Sequence, residues 1–186
     1  MAANQPLWPR EWLMTDERMA DRLWEAIEAL PTGAGIVFRH YRLNDEDRFA
    51  LGRAIAEIAR TKDLLLAVAG SRSLAERLGA AMVHNPDKAG EMPWSMAVHD
   101  EQQALSARSA EPVLAFVGPV YPTHSHPTAE AIGADRAAAL ARQAGCAAIA
   151  LGGMDRKRFA LLESTHPGAF HGYAGIDCWL SRPLRT

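Results

Sequence analysis

Eight short apolar runs recur along the chain, most followed by a segment of helical character, and this alternation constrains the fold more than any other feature. The runs are WLMT (12–15), GIVFRH (35–40), LLLAVA (64–69), AAMVH (80–84), SMAVH (95–99), VLAFVG (113–118), AAIALGG (147–153) and FHGYAGI (170–176). Several are apolar on both faces, as parallel strands are when both sides of the sheet are covered. Between them, DERMADRLWEAIEAL (16–30) sets Met19, Leu23, Ile27 and Leu30 on one stripe, and DEDRFALGRAIAEIAR (45–60) does the same with Phe49, Ile55 and Ile58. SRSLAERLG (71–79) opens on a serine cap and closes on glycine. DEQQALSARSA (100–110), GADRAAALARQAG (133–145) and DRKRFALLES (155–164) complete the helical set. Asp100, Asp135 and Asp155 stand where an N-cap or first-turn acid is stabilising.

Strands and helices in this order predict an α/β fold, a (β/α)8 TIM barrel, over a single domain of residues 1–186. Such barrels usually need more than about 200 residues, so this one is expected to be trimmed. The stretch 85–94 is too short for a full helix, and the tail after Asp177 is a stub, so helices are short or missing after strands 4 and 8. An open, doubly wound sheet is the competing architecture and needs fewer strands.

Composition excludes several classes of partner. Net charge is −2, with neither a basic face for nucleic acid nor a basic block for anionic lipid. The longest purely apolar run, LLLAVA, is far short of a membrane span, and the N-terminus has no signal-like apolar core. A cytoplasmic location follows as the expectation, with Cys146 and Cys178 as reduced, buried thiols. The five tryptophans read as packing or barrel-floor residues, DRKR (155–158) as a solvated helix start, and the alanine-rich helices leave a face for a homodimer.

Ligands of a parallel barrel bind at the C-terminal ends of its strands. Those ends carry Asp16, Arg39 with His40, Ala69 with Gly70, His84, His99, the loop 123–126, Gly152 with Gly153, and Asp177. The loop GPVYPTHSHP (118–127) is unusually dense in hydroxyls and imidazoles. Separated histidines and aspartates leave a metal-dependent hydrolase as one alternative, though no His-x-His leaves the first strand. Gly152 and Gly153, before an aspartate-led helix, suit backbone amides approaching a phosphate.

In consistent order from 33 to 176, VGPVYPTHSHP, IALGGMDRKRF, FHGYAGID, RLGAAMVHNPD, SMAVHDEQQA and GIVFRHY resemble segments of the thiamine-phosphate synthase and TenI-type thiazole tautomerase family. The resemblance implies a barrel that joins a pyrimidine pyrophosphate to a thiazole phosphate with magnesium, in the cytoplasm, acting on small phosphorylated heterocycles. It implies that Arg39 faces pyrophosphate as a catalytic cation, with His126 standing where the family has a lysine. Thr123 and Ser125 correspond to hydroxyls of the thiazole-phosphate loop, Gly152 and Gly153 to its glycines, and His84 and His99 to strand-end histidines. Asp177 replaces a phosphate-binding serine, and Asp87 is left as the carboxylate for a metal.

The chain departs from the family pattern at several of these places. Tyr41 stands for the lysine after the arginine, Ala69 and Gly70 for a metal-binding Asn-Asp, Ala97 for a serine, and Pro119 for the tautomerase histidine. A descendant that binds a thiamine-related metabolite without turnover is therefore the second alternative.

Overall fold

The structure, a computed structural model, describes residues 8–88, 90–123 and 130–182. Its eight strands are β1 (Glu11–Met14), β2 (Gly35–Phe38), β3 (Leu65–Ala69), β4 (Met82–His84), β5 (Trp94–Val98), β6 (Leu114–Val117), β7 (Ala147–Leu151) and β8 (Gly172–Gly175). Each pairs in parallel with its neighbours, and β1 pairs with β8 from Glu11 opposite Tyr173 onward, so the sheet closes. Closure leaves no free edge, and residues alternate between the barrel interior and the helical layer.

The helices are α1 (Arg22–Glu28), α2 (Asp45–Thr61), α3 (Arg72–Arg77), α4 (Glu101–Ala110), α5 (Ala134–Ala144) and α6 (Arg156–Thr165). Side-chain caps start four of them: Asn44, Ser71, Asp100 and Asp155 each accept from the backbone N–H three residues on. The trimmed barrel of the sequence analysis is what forms. No helix follows β4 among the described residues, and after β8 there is only a 3₁₀ turn, Asp177–Trp179.

Two expectations need correction. The single helix expected over 16–30 is a 3₁₀ turn, Glu17–Met19, followed by α1, with Ala20 between them at φ 43°. The cause is local: the Asp16 carboxylate accepts from the Arg18 N–H and grips its guanidinium, which favours a tight turn over an open first helical turn. Trp24 is not a floor residue, for it stands 39% exposed on the outer side of α1 while Leu23, Ala26 and Ile27 are buried.

The barrel interior is built on aromatic rings. Trp12 of β1 meets Phe116 of β6 edge-on at 5.5 Å, although two strands separate them in the sheet, so the contact crosses the interior. Phe116 in turn meets the buried His84 ring of β4 at 5.0 Å. This column carries packing from the barrel body to the strand ends, and Gly35 makes room for it: a Cβ there would lie 2.2 Å from the Trp12 ring. Trp12 Nε1 donates to the Pro9 carbonyl oxygen at 2.7 Å, which satisfies its buried polar atom.

Candidate functional site

A cavity of about 950 Å³ opens at the C-terminal ends of the strands. Arg39, His84, His99, Thr123, Gly152, Gly153 and Asp177, all singled out from sequence, line it together. Asp87 is exposed and lies outside that lining. Ser125 and His126 lie outside the described residues.

Arg39 follows β2 and is fixed from β1. Its N–H donates to Thr15 Oγ1 at 3.0 Å, its Nε to the Thr15 carbonyl at 2.9 Å, and its Nη2 reaches Asp16 Oδ2 at 3.5 Å. Burial lowers its basicity and the Asp16 carboxylate opposes that loss, so the guanidinium stays charged. Burial would raise the acidity constant of Asp16, yet the Arg18 hydrogen bonds and the charges of Arg18 and Arg39 bring it down to about 2. Arg39 is thereby preorganised as a cation facing the cavity. A smaller recess of about 410 Å³ opens beside it, sharing Arg39 and Tyr41 and adding Arg18 and Arg42.

The histidines divide by role. His40 is buried against the Phe38 ring and bonded to Thr15 Oγ1 at 3.1 Å, outside the cavity lining. His84 is 3% exposed, bonded through Nδ1 to Ser95 Oγ at 2.9 Å. Burial, with the nearby Arg39 and His99 charges, holds its pKa down at about 3, so His84 is a neutral hydrogen-bonding group. His99 presents Nδ1 to the Gly118 carbonyl oxygen at 2.5 Å. A carbonyl only accepts, so Nδ1 carries the proton, and the neutral ring keeps its Nε2 lone pair.

At β7, Gly152 and Gly153 adopt φ +97° and +59°, conformations that favour glycine. The β6 loop packs directly on them, with Val120 N donating to the Leu151 carbonyl at 2.8 Å and Tyr121 N to that of Gly152 at 3.1 Å. Asp155 caps α6 by accepting from Arg158 N at 2.8 Å. Arg158, expected in solvent, belongs to the cavity lining: its guanidinium bonds the Gly153 carbonyl and lies 5.3 Å from the centre of the Tyr121 ring. Helical side chains lean toward the N-terminus, so a residue three places after the cap reaches back over the strand end, and that spacing was the available signal. Glu130, Met154 and Cys178 also line the cavity and were not singled out as site residues. Burial pushes the Cys178 thiol up to about 12, which removes it as a nucleophile.

The β3 end is closed by an arginine. Arg48 of α2 donates Nη2 to the Ala69 carbonyl at 2.8 Å and lies 5.3 Å from the centre of the Tyr41 ring. Among the described residues, no three histidine, cysteine, aspartate or glutamate side chains converge as metal ligands. With Ala69 and Gly70 at that strand end and a guanidinium against them, the donor set does not fit a magnesium ion held by this chain's own side chains.

The family model for thiamine monophosphate synthase matches residues 12–167. The chain belongs to the thiamine monophosphate synthase family. Among solved structures, the thiamine phosphate pyrophosphorylase of Pyrococcus furiosus is similar at TM-score 0.78 and 19% identity, over 96% of this chain and 91% of that one. The Bacteroides thetaiotaomicron thiamine phosphate pyrophosphorylase gives TM-score 0.60 and 15% identity over 91% and 83% of the two chains. FabK from Thermotoga maritima gives 0.64 and 17% over 93% of this chain and 60% of that one, a likeness of barrel alone. No curated protein sequence matches the chain. The membership agrees with the series of motifs quoted above, and no helix among the described residues is long and apolar enough to cross a membrane.

Proposed function

We propose that the cavity carries out the coupling typical of this family: a pyrimidine pyrophosphate binds at the β2 side, a thiazole binds at the β6–β8 side, and the thiazole nitrogen displaces pyrophosphate from the pyrimidine methylene. The observation that carries this reading is the Arg39 guanidinium, locked by Thr15 and Asp16 at the rim of a cavity lined by strand-end histidines. A fixed cation stabilises charge that develops on a departing pyrophosphate without reorganising at the moment of reaction. His84, held neutral, and His99, with Nδ1 committed to Gly118, supply hydrogen-bonding groups that need not change protonation near neutral pH to orient a heterocycle.

Where the family uses magnesium, the ion would add Lewis-acid stabilisation of the leaving group. This chain's described side chains do not fit it, so Arg39 bears that burden, and a slow reaction is expected. Ser125 and His126 remain part of the proposed β6 loop by resemblance, and the location is proposed as cytoplasmic. A single-domain chain and a homodimer through its alanine-rich helices also stand as proposals.

The test is calorimetric titration of the full chain with each substrate, followed by a coupling assay. Saturable binding of the pyrimidine pyrophosphate, lost in Arg39→Gln, supports the reading, and no binding of either heterocycle would overturn it. Binding without turnover would favour the metabolite-binding alternative, which the Tyr41, Ala69 and Gly70 replacements motivate.

A further inference from the structure

We infer that the thiazole partner enters this cavity as a free alcohol and not as a phosphate ester. The inference rests on the coupling proposed above and names the acceptor class for it. A barrel of this kind holds a phosphate by leaving backbone amides bare at a helix N-terminus near the last strands. Here both halves of that arrangement are taken.

The N-terminus of α6 already has its anion. Asp155 extends its own carboxylate over the first turn and accepts from Arg158 N at 2.8 Å. A second anion at the same amides would meet that carboxylate directly, and like charges at such range oppose each other. The glycine pair is covered as well. A Cβ on Gly152 would lie 2.6 Å from Pro119 Cα, and one on Gly153 would lie 2.5 Å from the Pro122 carbonyl oxygen. These glycines therefore serve the close approach of the β6 loop, and the nearest group above Gly153 is a carbonyl, which repels a phosphate oxygen.

The β8 end lacks the other half. A three-residue 3₁₀ turn, Asp177–Trp179, stands there in place of a helix, and it begins with a carboxylate. Glu130 adds another on the same lining. Arg158 is the guanidinium on this side, and its Nη1 is committed to the Gly153 carbonyl, with the ring of Tyr121 beneath. Carboxylates and carbonyls are acceptors, and the group that suits them on a thiazole side chain is an O–H donor.

The coupling balances with such an acceptor. The thiazole nitrogen's lone pair forms the new C–N bond to the pyrimidine methylene, the methylene C–O bond breaks, and pyrophosphate leaves with that electron pair. The side-chain hydroxyl keeps its proton. The product is then the unphosphorylated cation.

Two measurements on the full chain decide the matter. In the first, a hydroxyethyl thiazole and its phosphate ester are titrated by calorimetry in the presence of the pyrimidine pyrophosphate. The alcohol is expected to bind at least about tenfold tighter, and Asp155→Asn, which keeps the cap but removes the charge, should narrow the ratio. In the second, inorganic phosphate is titrated into 15N-labelled protein. The amide signals of Gly152, Gly153, Arg156 and Lys157 are expected not to move. Tighter binding of the ester, or movement of those amides in the wild-type chain, overturns the inference. If neither thiazole binds, the proposed coupling fails, and the phosphate titration still decides whether this end of the cavity excludes phosphate.

Discussion

His99 at the end of β5 and Gly118 at the end of β6 are joined by a hydrogen bond of 2.5 Å from imidazole Nδ1 to carbonyl oxygen. The bond ties the β6 loop to the neighbouring strand and fixes which ring nitrogen carries the proton. It also orients a residue that lines the cavity, in the way a second partner orients a ligating or catalytic histidine elsewhere.

From this we expect 15N-detected spectra to show His99 as the Nδ1–H tautomer whenever the ring is neutral. His99→Ala should cost about 0.5–1.5 kcal/mol of stability, the usual worth of one intramolecular hydrogen bond. It should weaken thiazole binding more than pyrimidine binding, because Gly118 begins the loop on the thiazole side. An Nε2–H tautomer would break the assignment.

His84 makes acid stability a second test. Its pKa lies near 3 in the folded chain against 6.5 for the free side chain. Between those values the unfolded chain takes up a proton that the folded one refuses, so stability is intact above about 6.5 and falls as pH drops toward 3. His40 shifts in the same direction, chiefly through burial. Each such group steepens the fall by up to about 1.4 kcal/mol per pH unit. His84→Gln should flatten the profile in that window, as read by denaturant unfolding at several pH values. An unchanged slope would show that His84 is solvated.

Gly35 and Trp12 supply a packing test. With a Cβ at 35 only 2.2 Å from the indole, Gly35→Ala should destabilise the barrel by about 1–3 kcal/mol through overpacking. Trp12→Phe in the same chain should recover part of that loss, since the smaller ring vacates the contact. Two penalties that merely add in the double-mutant cycle would mean the two sites do not touch.

Much of the fold was legible because it rests on local patterns. Doubly apolar runs marked the strands, and Ser71, Asp100 and Asp155 marked helix starts with the very side chains that cap them. Asp135 was a near miss: it sits inside the first turn of α5, and Gly133 takes the cap position without a side chain. The site was legible wherever a residue lies at a strand end in sequence, as Arg39, His84 and His99 do. It was not legible where a side chain travels. Arg158 crosses back over its helix start, and Arg48 reaches from α2 to the β3 end, contacts that depend on tertiary placement rather than spacing. The break at Ala20 was hidden for the same reason, since the Asp16 carboxylate that shapes the turn is also fixed by Arg39 from another strand.

Tyr41 gives the last test, and it concerns the proposed pyrophosphate side. Its ring lies between the cavity, which it lines, and the Arg48 guanidinium 5.3 Å from the ring centre. Arg48 Nε has no hydrogen-bond partner among the described residues, so its charge is shielded there by aromatic faces more than by acceptors. Tyr41→Lys exchanges that shield for a second mobile cation beside Arg39. Repulsion among three cations should lower the melting temperature of the free protein by several degrees, in line with a loss of about 1 kcal/mol. Inorganic pyrophosphate should relieve the repulsion and bind about tenfold more tightly than to the parent chain, the worth of one added charge-assisted contact. The gain should shrink with added salt. Tyr41→Phe keeps the aromatic shield and should leave pyrophosphate affinity unchanged. Equal affinity in the lysine variant and the parent would show that position 41 does not face the anion, and would move the pyrophosphate away from the Arg39 side of the mouth.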